Sequence, residues 1–172
     1  MASSGMTIRD WASLGRSLPG VAALIFSVWG SPLAAAVCLV LAVWIDVIVS
    51  WWARRAGRAQ TELGISIENL ADCVCFVAAP AAFALSGCMD RRIAAPLFVF
   101  ALAGIFRLAR FQLEGLVHGG YRGLPVTYNG YLFPALALIL FHWPLWNSLL
   151  VWGPFLLIVS ALMVSKFVVP EM

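Results

Sequence analysis

The chain has 172 residues, 63% hydrophobic and only 11% charged, with a mean hydropathy of +0.95. That composition excludes an ordinary soluble domain and leaves an integral membrane protein. The net charge of +3 is small and scattered, which excludes a nucleic-acid footprint and leaves lipid headgroups or phosphate as anionic partners.

A membrane span needs about 20 apolar residues. In chain order, apolar runs near 14–30, 33–52, 65–87, 93–111, 126–143 and 147–166 predict an all-α, six-transmembrane-helix bundle forming one domain over residues 1–172. The first run follows Arg9 and Arg16 and ends near "SPLAAAV", a layout shared with secretory leaders; it is read here as a span. Gly30 to Pro32, Gly119 to Pro125 and Pro144 supply the breaks between runs. With the N-terminus inside, Arg9, Arg16, Arg54, Arg55, Arg58, Arg107, Arg110, Arg122 and Lys166 fall on the cytoplasmic side, and only Arg91 and Arg92 face out. The bias predicts both termini in the cytoplasm. Cys38, Cys73, Cys75 and Cys88 form no CxxC pair and read as packing residues, and His118 and His142 lack metal-ligand spacing.

Three acids lie inside the runs: Asp46, Glu68 and Asp72. An ionisable group at membrane depth is expensive, about 2.5–3.5 kcal/mol on insertion scales, so it faces a partner or an aqueous cavity. Glu68 and Asp72 are one helical turn apart and project from one face. Two like charges so placed require a cation between them, whether arginine, metal ion or proton. Arg54, Arg55 and Arg58 close the second run, and Arg107 and Arg110 sit in "FRLARF" near the end of the fourth. Acids on one wall of a cavity and arginines on another suit a metal-bridged phosphate ligand.

The stretch "ARRAGRAQTELGISIENLADCVCFVAAPA" resembles the segment that defines CDP-alcohol phosphatidyltransferases, whose signature reads DxxDGxxARx8GxxxDxxxD. "FRLARFQLEG", "YRGLPVTYNGYLFPAL" and "ALMVSKFVVP" narrow the resemblance to the phosphatidylserine synthase branch, over residues 40 to 170. Counting back from Gly64, Asp72 takes the fourth acid position and Glu68 the third. Ser50 takes the second, Val47 the first, and Trp51 stands where the signature has a glycine. Arg55 keeps the signature arginine beside Arg54, and Asp46, one turn before Ser50, is the substitute for the missing first acid.

The resemblance implies a metal-dependent transfer of a phosphatidyl group from CDP-diacylglycerol to a small alcohol, serine for this branch, with release of CMP. Asp72 would be base and ligand, and Asp46 and Glu68 further ligands to one or two Mg²⁺ or Mn²⁺ ions. Ser50, Arg55, Gly64, Arg107 and Arg110 would contact substrate. It also implies a homodimer with its active site toward the cytoplasm. The departures at Val47, Ser50 and Trp51 support a second reading, a catalytically impaired relative that binds lipid or anions or regulates a partner.

Overall fold

In the computed structural model, the described residues are 8–55, 61–115, 120–142 and 145–170, without the side chains of 8, 9, 53, 54, 142 and 170. Arg58, His118, Gly119 and Pro144, and the side chains of Arg9, Arg54 and His142, therefore lie outside the described residues. Helix α1 (Ile8–Gly15) is followed by α2 (Leu18–Val28), α3 (Pro32–Arg55) and α4 (Glu62–Cys73). A π-helical turn, Val74–Ala78, carries α4 directly into α5 (Ala79–Gly87), and a 3-10 turn at Arg91–Ile93 leads into α6 (Ala94–Glu114). Strand β1 (Gly120–Arg122), a second 3-10 turn (Val126–Tyr128), α7 (Asn129–His142), α8 (Leu149–Val164) and β2 (Val168–Pro170) complete the chain.

Four stretches, Asp10–Val28, Pro32–Trp52, Glu62–Gly87 and Arg91–Glu114, are long and apolar enough to cross a membrane. The last two apolar segments, Val126–Phe141 and Leu149–Val164, are shorter. At about 1.5 Å per residue, a 16-residue helix such as α8 extends about 24 Å, less than the roughly 30 Å hydrocarbon core. The all-α bundle predicted from sequence is thus present, with four stretches of spanning length and two shorter apolar helices where the last two of the six spans were expected. Large apolar side chains, Trp44, Phe98, Leu102 and Leu150 among them, face outward, as a lipid-facing surface requires.

The first apolar run does not form one straight helix. Pro19 lies in the first turn of α2, where its missing N–H is tolerated, and the chain turns at Arg16 and Ser17 between α1 and α2. This turn leaves Arg16 buried at 4% exposure. Gly20 then lets α2 settle against the π turn, for a Cβ there would stand 2.7 Å from the Cys75 Cα. Cys75 Sγ donates weakly to the Arg16 and Ser17 carbonyls at 3.8 and 3.7 Å. The turn between α1 and α2 is thereby held beside the C-terminal half of α4.

Two further contacts fix α4. Thr61 caps it by accepting from the Gly64 N–H at 2.9 Å, and the Thr61 hydroxyl donates to Asp10 Oδ1 at 2.9 Å, tying α4 to α1. At its other end Asn129, fully buried at the start of α7, donates from Nδ2 to the Phe76 carbonyl at 2.8 Å. A π turn leaves backbone carbonyls without their usual helical partners, and Asn129 supplies one.

The core runs through Leu39, Val43, Phe76, Phe83, Phe100, Phe133, Trp152 and Leu156, with Trp152 donating from Nε1 to the Trp146 carbonyl at 2.9 Å. A small antiparallel ladder adds to the helices: Gly120 pairs with Pro170, Tyr121 with Val169 and Arg122 with Val168. Two of the stretches that carry the family resemblance, "YRGLPVTYNGYLFPAL" and "ALMVSKFVVP", meet in this ladder. Gly123 (φ +74°) makes the turn that leaves it, and its N–H donates to the Phe167 carbonyl at 2.7 Å.

Candidate active site

The acids expected from sequence come together. Asp46 on α3 and Glu68 and Asp72 on α4 all reach the guanidinium of Arg16. Nη1 lies 2.6 Å from Asp46 Oδ1 and 3.0 Å from Glu68 Oε1, and Nη2 lies 2.8 Å from Asp72 Oδ1. Nη2 also donates to the Glu68 backbone carbonyl at 3.3 Å. The Arg16 side chain is 3% exposed, whereas Asp46, Glu68 and Asp72 keep 16%, 32% and 20% of their side-chain surface, so the acids form the open side of the cluster. Charge-assisted pairs at such distances in a poorly hydrated setting are strong, and each acid lowers the cost of burying the arginine.

Sequence reasoning required a cation between these acids and sought it in Arg54, Arg55, Arg58, Arg107 or Arg110; Arg16 fills the place instead. As a membrane-surface residue in "LGRSLPG" it carried one usable signal. It precedes Pro19 by three residues, at a helix break within an apolar run, where a charged side chain turns inward only with partners.

Glu68 and Asp72 share a face, as the one-turn spacing predicts. On α3, the facing differs from a straight count of the signature. Val47 and Trp51, on which the count places the first acid and the glycine, are 51% and 48% exposed and look outward. Trp51 is instead covered by Arg55, whose Cζ sits 4.1 Å from the ring centroid. Asp46 is the acid of α3 that faces α4, with Ser50 one turn further along and half-buried. Starting the signature at Asp46 puts Ser50 on the glycine position and Ala53 and Arg54 on the Ala-Arg pair. The segment up to Gly64 is then one residue longer. A signal for this register was present in "DVIVSWWAR".

The remaining residues divide sharply. Gly64 is buried, and its N–H serves the Thr61 cap. Arg110 is engaged by the backbone: Nη1 donates to the Val164 carbonyl at 3.0 Å, and Nη2 to those of Arg122, Met163 and Ser165 at 2.8, 3.1 and 3.2 Å. Arg107, one turn earlier on α6, is 4% exposed, with its Cζ 5.3 Å from the Phe111 ring and 5.7 Å from that of Tyr121. Its helix packs against α4, which carries Asp72.

In the arrangement seen, no group of three or more His, Cys, Asp or Glu side chains among the described residues is set out as a metal site, because the acids are arranged around a guanidinium. Their chemistry nevertheless fits a hard divalent ion. They are three carboxylates from two helices, already converging on one cation, and each keeps part of its surface exposed.

No protein-family model matches the chain. Among curated proteins, it is similar to the archaetidylserine synthase of Methanothermobacter thermautotrophicus, with 30% identity over 98% of this chain and 72% of that protein. It is also similar to the CDP-diacylglycerol–serine O-phosphatidyltransferase of Methanocaldococcus jannaschii, with 25% identity over 96% of this chain and 75% of that protein. Together with the acid cluster, these similarities over nearly all of this chain place it in the CDP-alcohol phosphatidyltransferase family, membrane enzymes of phospholipid synthesis, within its phosphatidylserine synthase-like branch.

Proposed function

We propose that the protein transfers a phosphatidyl group from CDP-diacylglycerol to the hydroxyl of serine, releasing CMP. The observation that carries this reading is the convergence of Asp46, Glu68 and Asp72 on a single cation at the junction of α3, α4 and the α1–α2 turn. Names of the two relatives supply the lipid-to-serine chemistry. With Val47 and Trp51 facing outward, the register that starts at Asp46 keeps the first acid and a small residue at the glycine position, and Val49 takes the second acid position.

In the reaction, the serine hydroxyl oxygen forms a bond to the phosphorus that carries diacylglycerol, and the bond from that phosphorus to the CMP oxygen breaks. The hydroxyl proton passes to Asp72, whose carboxylate lies 2.8 Å from Arg16. Asp46, Glu68 and Asp72 would hold Mg²⁺ or Mn²⁺, which when bound neutralises phosphate charge and stabilises the departing nucleotide. Arg55, at the end of α3, supports headgroup contact, and the arginine-rich ends of α3 and α6 support a cytoplasmic entrance.

The test uses the purified full chain with labelled CDP-diacylglycerol and serine, with and without Mg²⁺ or Mn²⁺. Labelled phosphatidylserine and CMP should form in equal amounts. Hydrolysis of the nucleotide without a serine-containing lipid, or no turnover with any divalent ion, would remove the proposal.

A further inference from the structure

Arg107 is a buried cation with an unused hydrogen-bonding edge. Its Nε and Nη2 are sealed from solvent and have no hydrogen-bond partner among the described residues. These two nitrogens lie on the same side of the guanidinium, and their N–H bonds form the parallel fork that receives both oxygens of a carboxylate. Donors left unpaired in a buried position are costly, and for a charged group the cost is larger still. The rings of Phe111 and Tyr121 lie within 6 Å of Cζ and fix the plane, but a ring face supplies no acceptor to that edge. The two other arginines that touch the site region are already engaged, Arg16 by three carboxylates and Arg110 by four backbone carbonyls.

We propose that the Nε and Nη2 edge of Arg107 receives the carboxylate of the acceptor, which makes Arg107 the residue that selects a hydroxy amino acid over a simple amino alcohol. The inference rests on the transfer reading above and adds a recognition rule to it. In serine only three bonds separate the hydroxyl oxygen from the carboxylate carbon, so the base and the carboxylate receptor must be neighbours. Asp72 and Arg107 stand on α4 and α6, which pack against each other, and among the described residues Arg107 is the buried arginine with an edge to spare. The lipid diphosphate is the other anion in the reaction, and the acid cluster would meet it through a divalent ion. The fork receives either anion in a bidentate pair, and the KM comparison below separates the two. Because the edge is closed to solvent, the pair forms out of water, where it is strongest.

The experiment compares wild type with Arg107→Gln and Arg107→Lys, the full chain in detergent or lipid nanodiscs. It measures equilibrium binding of labelled serine, and KM for serine, for ethanolamine (serine without its carboxylate) and for CDP-diacylglycerol. Arg107→Gln should weaken serine binding and raise its KM about 10–100-fold, the loss of a charge-assisted pair. KM for CDP-diacylglycerol should stay within about twofold, and the preference for serine over ethanolamine should collapse. Lysine keeps the charge without the fork, so Arg107→Lys should fold and still show the serine defect if Arg107→Gln does not fold. A raised KM for CDP-diacylglycerol with unchanged serine KM would assign the edge to the diphosphate and overturn the proposal, as would unchanged serine binding in the lysine variant. Wild type that binds serine through Arg107 yet transfers nothing would defeat the transfer reading while leaving the receptor standing.

Discussion

Arg16 joins three carboxylates that would otherwise repel one another, so its replacement affects both stability and charge. Arg16→Gln should destabilise the protein by about 3–5 kcal/mol, the usual penalty for leaving buried charges without their partner. A thermal melt in detergent should show the loss, and Mg²⁺ should raise the melting temperature more in the variant than in wild type. An equal Mg²⁺ response in both would mean that the ion does not share the carboxylates. Asp72→Asn removes the proposed base while keeping its shape, and phosphatidylserine formation should fall by at least about 100-fold with folding intact. At this scale the acids were legible, because the spacing of Glu68 and Asp72 and the depth of Asp46 follow from helical periodicity alone. Arg16 was not. Its inward course depends on a turn between α1 and α2 and on packing against Cys75, more than 50 residues away in the chain.

The π turn at Val74–Ala78 links the acid-bearing α4 to the core helix α5, and Asn129 holds it through the Phe76 carbonyl. Asn129→Ala should destabilise the fold by about 1–3 kcal/mol, because the carbonyl stays buried without its donor. The thermal melt should report this loss, and transfer should fall with it, since the same turn sets the facing of Asp72. Gly20→Val tests the opposite side of the same contact. The added side chain has no room against Cys75, and about 1–3 kcal/mol of overpacking strain should result. A variant as stable as wild type would mean that α2 and the π turn slide apart without cost. Helix positions were readable from the apolar runs, and Gly30 to Pro32 marks where α2 ends and α3 begins, whereas the break between α1 and α2 falls inside the first run and was not legible. The π turn was not readable, since "VCFVA" is as apolar as its neighbours and nothing local distinguishes i→i+5 from i→i+4 bonding. The β1–β2 pairing was equally hidden, being a contact between residues nearly 50 positions apart.

Across the whole molecule, Arg110 gathers the end of α6, β1 and the end of α8 at one end of the bundle through the carbonyls of Arg122, Met163, Val164 and Ser165. The chain therefore leaves that end in α7 and returns to it in α8, as an out-and-back pair requires even though both helices are short. Arg91 and Arg92, at the start of the α6 stretch, are exposed at its opposite end. This geometry agrees with the charge bias that sets Arg107, Arg110, Arg122 and Lys166 together and Arg91 and Arg92 apart. A cysteine placed at Lys166 should accordingly react with a membrane-impermeant maleimide only from the cytoplasmic side, and one placed at Arg92 only from the other side. The measurement belongs in intact and in opened cells, with Cys38, Cys73, Cys75 and Cys88 replaced so that only the introduced thiol reports. Labelling of both sites from one side would break the link between the basic ends and the cytoplasm. It would also move the acid cluster away from the compartment proposed for its nucleotide-linked substrate.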